Sequence, residues 1–201
     1  MKPIALLKAA AFLAALIPAA SLAYRFYQQD LTANPGDYIT DQTGTWALAM
    51  LVISLTVTPL RRITKWNELI KLRRMLGLFA FFYAILHMLT WVVFFHFFDL
   101  QFMIEDVGMR PYITIGMATF LILLALALTS NRYAIRKLGR RWQKLHRLVY
   151  VAAIGGVLHF WLLVKADTSE PQRWAVAVAI LLGFRAWWVW RTRPVTAVRP
   201  S

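Results

Sequence analysis

Residues 75–98 read MLGLFAFFYAILHMLTWVVFFHFF, an almost unbroken apolar stretch with His87 near its middle. About 20 apolar residues are enough for a helix to cross the hydrocarbon core of a bilayer. An ionisable side chain inside such a helix is costly and usually has a function. A second apolar stretch, residues 148–164, carries His159, and His146 stands just before it. The two stretches predict membrane-spanning helices with histidines between them.

Four further apolar stretches complete the predicted fold, an all-α polytopic membrane protein with six transmembrane helices in a single domain over residues 1–201. The chain is 60% hydrophobic and 16% charged, with a mean hydropathy of +0.55. Soluble domains average about 45–50% apolar and about 25% charged residues. Each span must be helical, because a lone strand leaves its backbone unpaired in lipid. The predicted spans are residues 4–23, 46–60, 75–98, 112–129, 148–164 and 174–190.

The first segment has two interpretations. Lys2, Lys8, an apolar core and the small residues Ser21 and Ala23 are typical of a cleavable signal peptide. The alternative is a retained first helix, since its length is sufficient to span. We favour retention.

Charge distribution predicts the orientation of the chain. The net charge of +14 would suggest nucleic-acid binding in a soluble protein, but here the basic residues cluster in particular loops, so we expect no nucleic-acid partner. One set of loops and tails carries 18 Lys and Arg residues, and the other set carries four; Arg185 falls within the last span. The positive-inside rule places both termini in the cytoplasm. Many of these charges would contact lipid headgroups.

The chain contains no cysteine, which limits the redox cofactors that it could hold. This absence excludes disulfides, thiolate metal sites and iron–sulfur clusters held by Cys. Any redox function therefore needs another cofactor.

Two of the four histidines are predicted at matched depth. His87 lies about 18 Å along its helix and His159 about 16 Å along its own, at 1.5 Å per residue. A pair of imidazoles at one depth on two helices suits axial ligation of a b-type haem. His96, nine residues after His87, falls on the opposite side of an ideal helix, and we interpret it as no ligand.

We expect the second ring nitrogen of each ligand to donate to a carbonyl one turn earlier, that of Tyr83 for His87 and that of Gly155 for His159. Gly155 and Gly156 either leave space for a porphyrin edge or permit close helix packing. The residues do not decide between these two roles.

Several short motifs resemble one family. They are R-R-M-L-G-L at 73–78, L-H at 86–87, R-P-Y at 110–112, K-L-G-R-R-W-Q-K-L-H-R-L-V-Y at 137–150 and L-H at 158–159. The chain resembles, over nearly its whole length, the MsrQ (formerly YedZ) family, haem-binding membrane subunits of bacterial periplasmic methionine-sulfoxide reductase systems. The wider group has a ferric-reductase-like transmembrane domain, so the resemblance implies a six-helix bundle of that type in the bacterial inner membrane.

In the wider group, two histidines on the third span and two on the fifth bind two stacked haems. His87, His146 and His159 match three of these positions, whereas Arg73 or Arg74 occupies the fourth. The resemblance thus implies haem b between His87 and His159. A second haem at His146, with Arg73 or Arg74, is left open.

The resemblance also implies a function. The chain would be a non-catalytic electron-transfer subunit, passing electrons to a periplasmic molybdopterin-containing reductase that repairs methionine sulfoxide in envelope proteins. It carries no dinucleotide-binding motif, so quinol or a cytosolic flavin reductase would be the electron donor. The family is described as binding FMN, and no residue pattern places that site here.

Other functions remain open. A stand-alone ferric reductase or a b561-like cytochrome would use the same histidines. A haem-free scaffold or transporter would use them structurally. We expect no acidic residue within a span, which argues against a transporter.

Overall fold

The computed structural model describes residues 3–192, and nearly all of them are helical. Lys2, Arg193 and Arg199, which contribute to the charge count, lie outside the described residues. A 3₁₀ turn at Asn67–Leu69 precedes the third helix, and a π-turn at Trp91–Phe95 follows it. The helices are α1 (Pro3–Tyr27), α2 (Pro35–Thr64), α3 (Ile70–Thr90), α4 (Leu100–Met109), α5 (Pro111–Leu128), α6 (Arg132–Leu138), α7 (Arg140–Leu145), α8 (Leu148–Leu163) and α9 (Ser169–Arg191).

Six helical segments of the described chain are long and apolar enough to cross a membrane, which confirms the predicted six-helix, all-α architecture. They are Pro3–Tyr27, Pro35–Thr64, Asn67–Phe95, Pro111–Leu128, Arg140–Leu163 and Ser169–Arg191. Successive segments run in opposite directions, so the bundle has two ends. We call the end where α2 and α9 finish the basic end, and the end where α2 and α9 begin the acidic end.

The second span differs most from its predicted bounds of 46–60. It begins at Pro35, where the Asn34 side chain accepts a hydrogen bond from the Asp37 backbone and Pro35 occupies the first turn. Its first turns are polar because they line a cavity inside the bundle instead of facing lipid. Asp37 and Asp41 therefore lie within a span, and the expectation that no span contains an acid was wrong.

The third span ends earlier than predicted. The π-turn is followed by Phe97 and Phe98 in left-handed backbone conformations, with φ of 47° and 65°. Bulky side chains rarely adopt this region, and it stops the helix before residue 98. The ideal-helix angle used for His96 consequently does not apply.

Three short helices lie in segments predicted as loops. The amphipathic helix α4 starts at Asp99, whose side chain accepts from the Phe102 backbone at 3.0 Å. Helices α6 and α7 meet at Gly139, with φ of +49°, in the basic segment before α8. His146 follows α7 and precedes α8, so it is not on the helix that carries His159.

Two antiparallel pairs form the centre of the bundle. Helix α2 packs along α3, and α5 packs along α8, while α9 contacts both α8 and α2. Ala80 on α3 and Ala152 on α8 are fully buried and allow close approach between helices. The space between the two pairs holds the cavity described below.

Tyr83 joins the first helix to the third. Its hydroxyl donates to the Ala15 carbonyl at 2.7 Å and accepts the Ala19 N–H at 3.1 Å. An uninterrupted helix would join those two backbone groups directly. The phenol thus bridges α1 beside Pro18, which lacks an N–H. Retention of the first segment stays a prediction, and this contact favours it.

We expect Tyr83→Phe to lower stability by about 1–3 kcal/mol, because two backbone groups lose their hydroxyl partner in apolar surroundings. Thermal unfolding in mild detergent measures the effect. Tyr27→Phe is the matched control, since Tyr27 lies on α1 with 82% of its surface exposed. Equal midpoints for the two variants would contradict a bridging role.

Candidate functional site

The structure brings His87 and His159 together between the two helix pairs. Their ring centres are 5.9 Å apart and their planes are nearly perpendicular, at 82°. Both rings line a cavity of about 860 Å³, the size of a small-molecule or cofactor site. The cavity extends from apolar residues such as Leu51 and Leu123 to polar residues at the acidic end.

Each imidazole is held by a backbone carbonyl of the neighbouring helix. His87 Nδ1 donates to the Thr40 carbonyl at 2.9 Å, and His159 Nδ1 donates to the Tyr112 carbonyl at 2.7 Å. The expected acceptors, Tyr83 and Gly155, were wrong. A carbonyl one turn back in the same helix already accepts its own helical N–H, whereas the neighbouring helix offers a carbonyl at the side of the ring.

A glycine stands four residues after each acceptor and makes this approach possible. A Cβ at Gly44 would lie 3.0 Å from the His87 ring, and one at Gly116 would lie 2.7 Å from His159 Nδ1. Real Cβ atoms essentially never approach as closely as 2.7 Å, so a side chain at Gly116 requires His159 to move, and one at Gly44 requires the His87 ring to shift by a few tenths of an ångström. Gly44, Gly116 and the two acceptors were missed from sequence, because glycine in a membrane helix usually indicates packing alone.

The two halves of the site share the same residue spacing. Both histidine–carbonyl hydrogen bonds span 47 residues. Each second-half residue follows its counterpart by 72 positions: Thr40 and Tyr112, Gly44 and Gly116, His87 and His159. This common offset of 72 residues was the one signal in the sequence that could have pointed to Gly44, Gly116 and the two acceptors. It is weak, because few other residues are identical at that offset. The two pairs present equivalent imidazoles from opposite sides of one cavity.

A polar network lines the acidic end of the cavity. His96, only 3% exposed, pairs through Nε2 with Asp106 Oδ2 at 3.1 Å, and its Nδ1 lies 3.3 Å from the Trp91 carbonyl. Arg110 Nε forms an ion pair with Asp106 Oδ1 at 2.7 Å, and Arg110 Nη1 donates to the Tyr112 hydroxyl at 3.1 Å. The network therefore joins the π-turn, α4 and the residue whose carbonyl holds His159.

The Tyr112 hydrogen bond and the Asp106 carboxylate raise the pKa of Arg110 above its ordinary value, so the guanidinium is charged at physiological pH. From the sequence we asked only whether His96 is a haem ligand, and we predicted no partner for it. Both of its ring nitrogens face acceptors in the structure, and its interpretation as no ligand stays a prediction.

His146 occupies a separate place at the basic end. Its Nε2 lies 3.1 Å from the Thr129 hydroxyl, and its ring stacks on Trp142 at 4.0 Å between centres. Arg73 is a charged neighbour. His146 does not line the cavity of His87 and His159.

The two glycines of α8 have different surroundings. A Cβ at Gly155 would collide with the Thr119 hydroxyl of α5, so this glycine permits close helix packing. Gly156 lines the cavity, and a Cβ there would lie 3.4 Å from Leu48. The structure assigns close packing to Gly155, whereas the role of Gly156 beside a porphyrin stays a prediction.

The two imidazoles of His87 and His159 could hold one metal ion, provided that a cofactor supplies the other ligands of that ion. With Nδ1 engaged, each ring keeps Nε2 as its free nitrogen. Metal–imidazole bonds are about 2 Å long, so two axial rings on one ion have centres about 6 Å apart. No cluster of three or more His, Cys, Asp or Glu ligands occurs within residues 3–192. A planar macrocycle with two axial imidazoles fits these residues better than a bare ion.

We expect Asp106→Ala to destabilise the protein by on the order of 3 kcal/mol, because it leaves buried His96 without its charged partner. The unfolding midpoint in detergent measures this loss. Glu105→Ala is the control: Glu105 is exposed and only accepts from Gln101, so its variant should stay within about 0.5 kcal/mol of wild type. A similarly small effect at Asp106 would show that the network does not secure α4.

Comparisons with known proteins agree with this architecture. The family described as "Ferric reductase like transmembrane component" matches residues 43–157, a range that includes His87 and ends two residues before His159. The chain is 49% identical to the "Protein-methionine-sulfoxide reductase heme-binding subunit MsrQ" of Herminiimonas arsenicoxydans, over 94% of this chain and 88% of the relative. It is 47% identical to the protein of the same name from Rhodospirillum rubrum, over 88% of this chain and 85% of the relative. No solved structure matches. The chain therefore belongs to the ferric-reductase-like transmembrane family and, within it, to the MsrQ family.

Proposed function

We propose that this protein is the haem-binding electron-transfer subunit of a methionine-sulfoxide reductase system, with one haem b held between His87 and His159. One observation carries the proposal: the two rings face one cavity at 5.9 Å, and each is oriented by a backbone carbonyl. The names of the relatives, which describe them as heme-binding subunits, support the same cofactor. When bound, haem would supply one-electron transfer between ferric and ferrous iron.

The protein's own residues would set the conditions for that transfer. The Thr40 and Tyr112 carbonyls keep a proton on each Nδ1 and leave Nε2 as the ligand. Leu48, Phe120 and other apolar side chains line the cavity and would surround the bound group with apolar atoms. With both imidazoles holding the group, the site would suit electron transfer rather than substrate binding at the iron.

The acidic end is the proposed exit for electrons. We infer that the basic end lies in the cytoplasm of a bacterial inner membrane, as the positive-inside rule requires. The cavity with His87 and His159 would then lie near the periplasm, and both chain termini would be cytoplasmic.

The electron acceptor would be a periplasmic molybdopterin reductase that returns methionine sulfoxide to methionine. Besides Asp106, which pairs with His96 and Arg110, four carboxylates line the cavity toward this end and favour a basic surface on that partner. They are Asp37, Asp41, Asp167 and Glu170.

Electrons would enter at the basic end, from quinol or from a cytosolic flavin reductase. His146 and Arg73 are neighbours there, which supports the hypothesis of a second haem at this end. Binding of FMN remains a proposal from the family alone. The chain would act as one transmembrane domain without catalysing sulfoxide reduction itself.

The proposed function is tested by reducing the purified, haem-loaded protein and adding the periplasmic reductase with methionine sulfoxide. We expect the low-spin b-type bands to return to their oxidised positions only when both additions are present. We expect His87→Ala and His159→Ala to lack this haem, which a pyridine haemochrome assay measures per chain.

His96→Ala is the control for loss of a buried histidine, and we expect it to retain haem. A colourless wild type from haem-replete cells would leave a membrane scaffold as the function. Haem reoxidation by ferric chelates, with no response to the reductase, would favour a stand-alone ferric reductase. A ratio near two haems per chain would support the site at His146.

We expect Gly116→Ala to weaken haem binding by about 10–100-fold, the usual effect of disturbing a group that orients a metal ligand. The new methyl group would displace His159 from the Tyr112 carbonyl. Haem titration of the apoprotein measures the affinity. Gly77→Ala is the matched control, because a Cβ there meets no atom within 4 Å. Unchanged affinity in Gly116→Ala would show that this hydrogen bond is dispensable.

A further inference from the structure

A second polar site lies at the basic end, away from the histidine cavity. It is a small cavity of about 10 Å³ between α2, α8 and α9. Such a space holds one water-sized group. Its polar lining consists of Thr58 and Arg62 from α2, Tyr150 from α8 and Arg185 from α9.

Two polar atoms at this cavity are buried without a hydrogen-bond partner. They are Thr58 Oγ1 and Arg62 Nη1. Several hydroxyls in the same helix bond back to helical carbonyls, as Thr43 does to Ile39 and Ser54 to Leu51, whereas Thr40, at the histidine cavity, is also without a partner. Thr58 departs from this pattern although it is 92% buried. A buried donor without a partner is costly, so these atoms indicate a missing acceptor.

Positive charge converges on the same place. The Arg185 guanidinium lies over the Tyr150 ring at 4.7 Å, and that of Arg62 lies over the Trp188 ring at 4.6 Å. Arg62, Arg73 and Arg147 are near enough to repel the charge of Arg185. Within residues 3–192, none of these four arginines forms an ion pair with a carboxylate.

The positive-inside rule alone does not explain why four arginines, Arg62, Arg73, Arg147 and Arg185, lie together; we call them the arginine cluster. Positive-inside residues normally extend separately into water or toward headgroups. Here Arg185 lies six residues before the end of α9, about 9 Å along the helix axis. Stacking on aromatic rings spreads the charge of a guanidinium but does not neutralise it. The cluster therefore lacks an anion.

We propose that this site binds the phosphate group of an anionic phospholipid in the leaflet at the basic end. Phosphate oxygens accept paired hydrogen bonds from guanidinium groups and would also accept the Thr58 hydroxyl. The cavity admits only a single oxygen, so the rest of the headgroup stays outside, among the basic residues. A lipid is the favoured source because Thr58 and Arg185 both lie inside spans, and basic pockets between spans at this side bind acidic headgroups.

Native mass spectrometry of the full-length protein in detergent tests the proposal, with phosphatidylglycerol and phosphatidylcholine of the same acyl chains as probes. We expect wild type to bind phosphatidylglycerol at least tenfold more tightly. Arg185→Gln should abolish that preference, and Thr58→Val should weaken it about tenfold through loss of one hydrogen bond to a charged group.

Arg191→Gln is the matched control, since Arg191 lies on the same helix over Trp187 and outside the cavity. It should bind as wild type does. Equal binding of the two lipids by wild type would overturn the proposal, and so would a preference retained in Thr58→Val and Arg185→Gln. If Arg185→Gln loses its monodisperse elution, Thr58→Val decides the outcome.

A competition experiment distinguishes the source of the phosphate. Inorganic phosphate and FMN are added separately to the complex of wild type with phosphatidylglycerol. We expect neither to displace the lipid at millimolar concentration. Displacement by FMN would assign the site to a soluble phosphate monoester and overturn the lipid assignment.

Discussion

The hydrogen bond from an imidazole Nδ1 to a carbonyl of the neighbouring helix is the interaction on which this site depends. It fixes the tautomer, so that Nε2 is the free nitrogen of both His87 and His159. It also requires the two helices of each pair to approach closely beside the ring. Gly44 and Gly116 satisfy that requirement, since a Cβ would lie 3.0 Å from the His87 ring at the first position and 2.7 Å from His159 Nδ1 at the second.

This constraint connects the helix pairing with the chemistry. Helices α2 and α5 carry the acceptors, and α3 and α8 carry the imidazoles, so each pair is a complete half of the site. The offset of 72 residues shows that both halves use the same register.

The sequence was sufficient for the six spans and for the pairing of His87 with His159, because both follow from hydrophobic length and helical rise. It was insufficient where polar residues face inward. The segment 35–45 was predicted as loop because Asp37, Asp41 and Gln42 are unfavourable in lipid, yet they line a cavity. A hydropathy average depends only on composition, so it does not distinguish a helix face that lines a polar cavity from one that faces lipid.

The backbone between His87 and His96 shows a second limit. An ideal helix would place these residues on opposite sides, but the π-turn and two left-handed phenylalanines redirect the chain. No propensity rule predicts that departure. The partners of His96 were missed for the same reason, since Asp106 lies on a helix that the sequence did not predict.

The phenol of Tyr83 has a consequence for biogenesis. The backbone groups that it bridges in α1 precede it in the chain by 64 and 68 residues. At synthesis rates of about 5–20 residues per second, α1 waits roughly 3–13 s before the ribosome adds this tyrosine. During that interval the first helix resides in the membrane, or beside the insertion machinery, without the hydroxyl that completes it. The first helix therefore reaches its final conformation only after the third helix has entered the bilayer and packed against it.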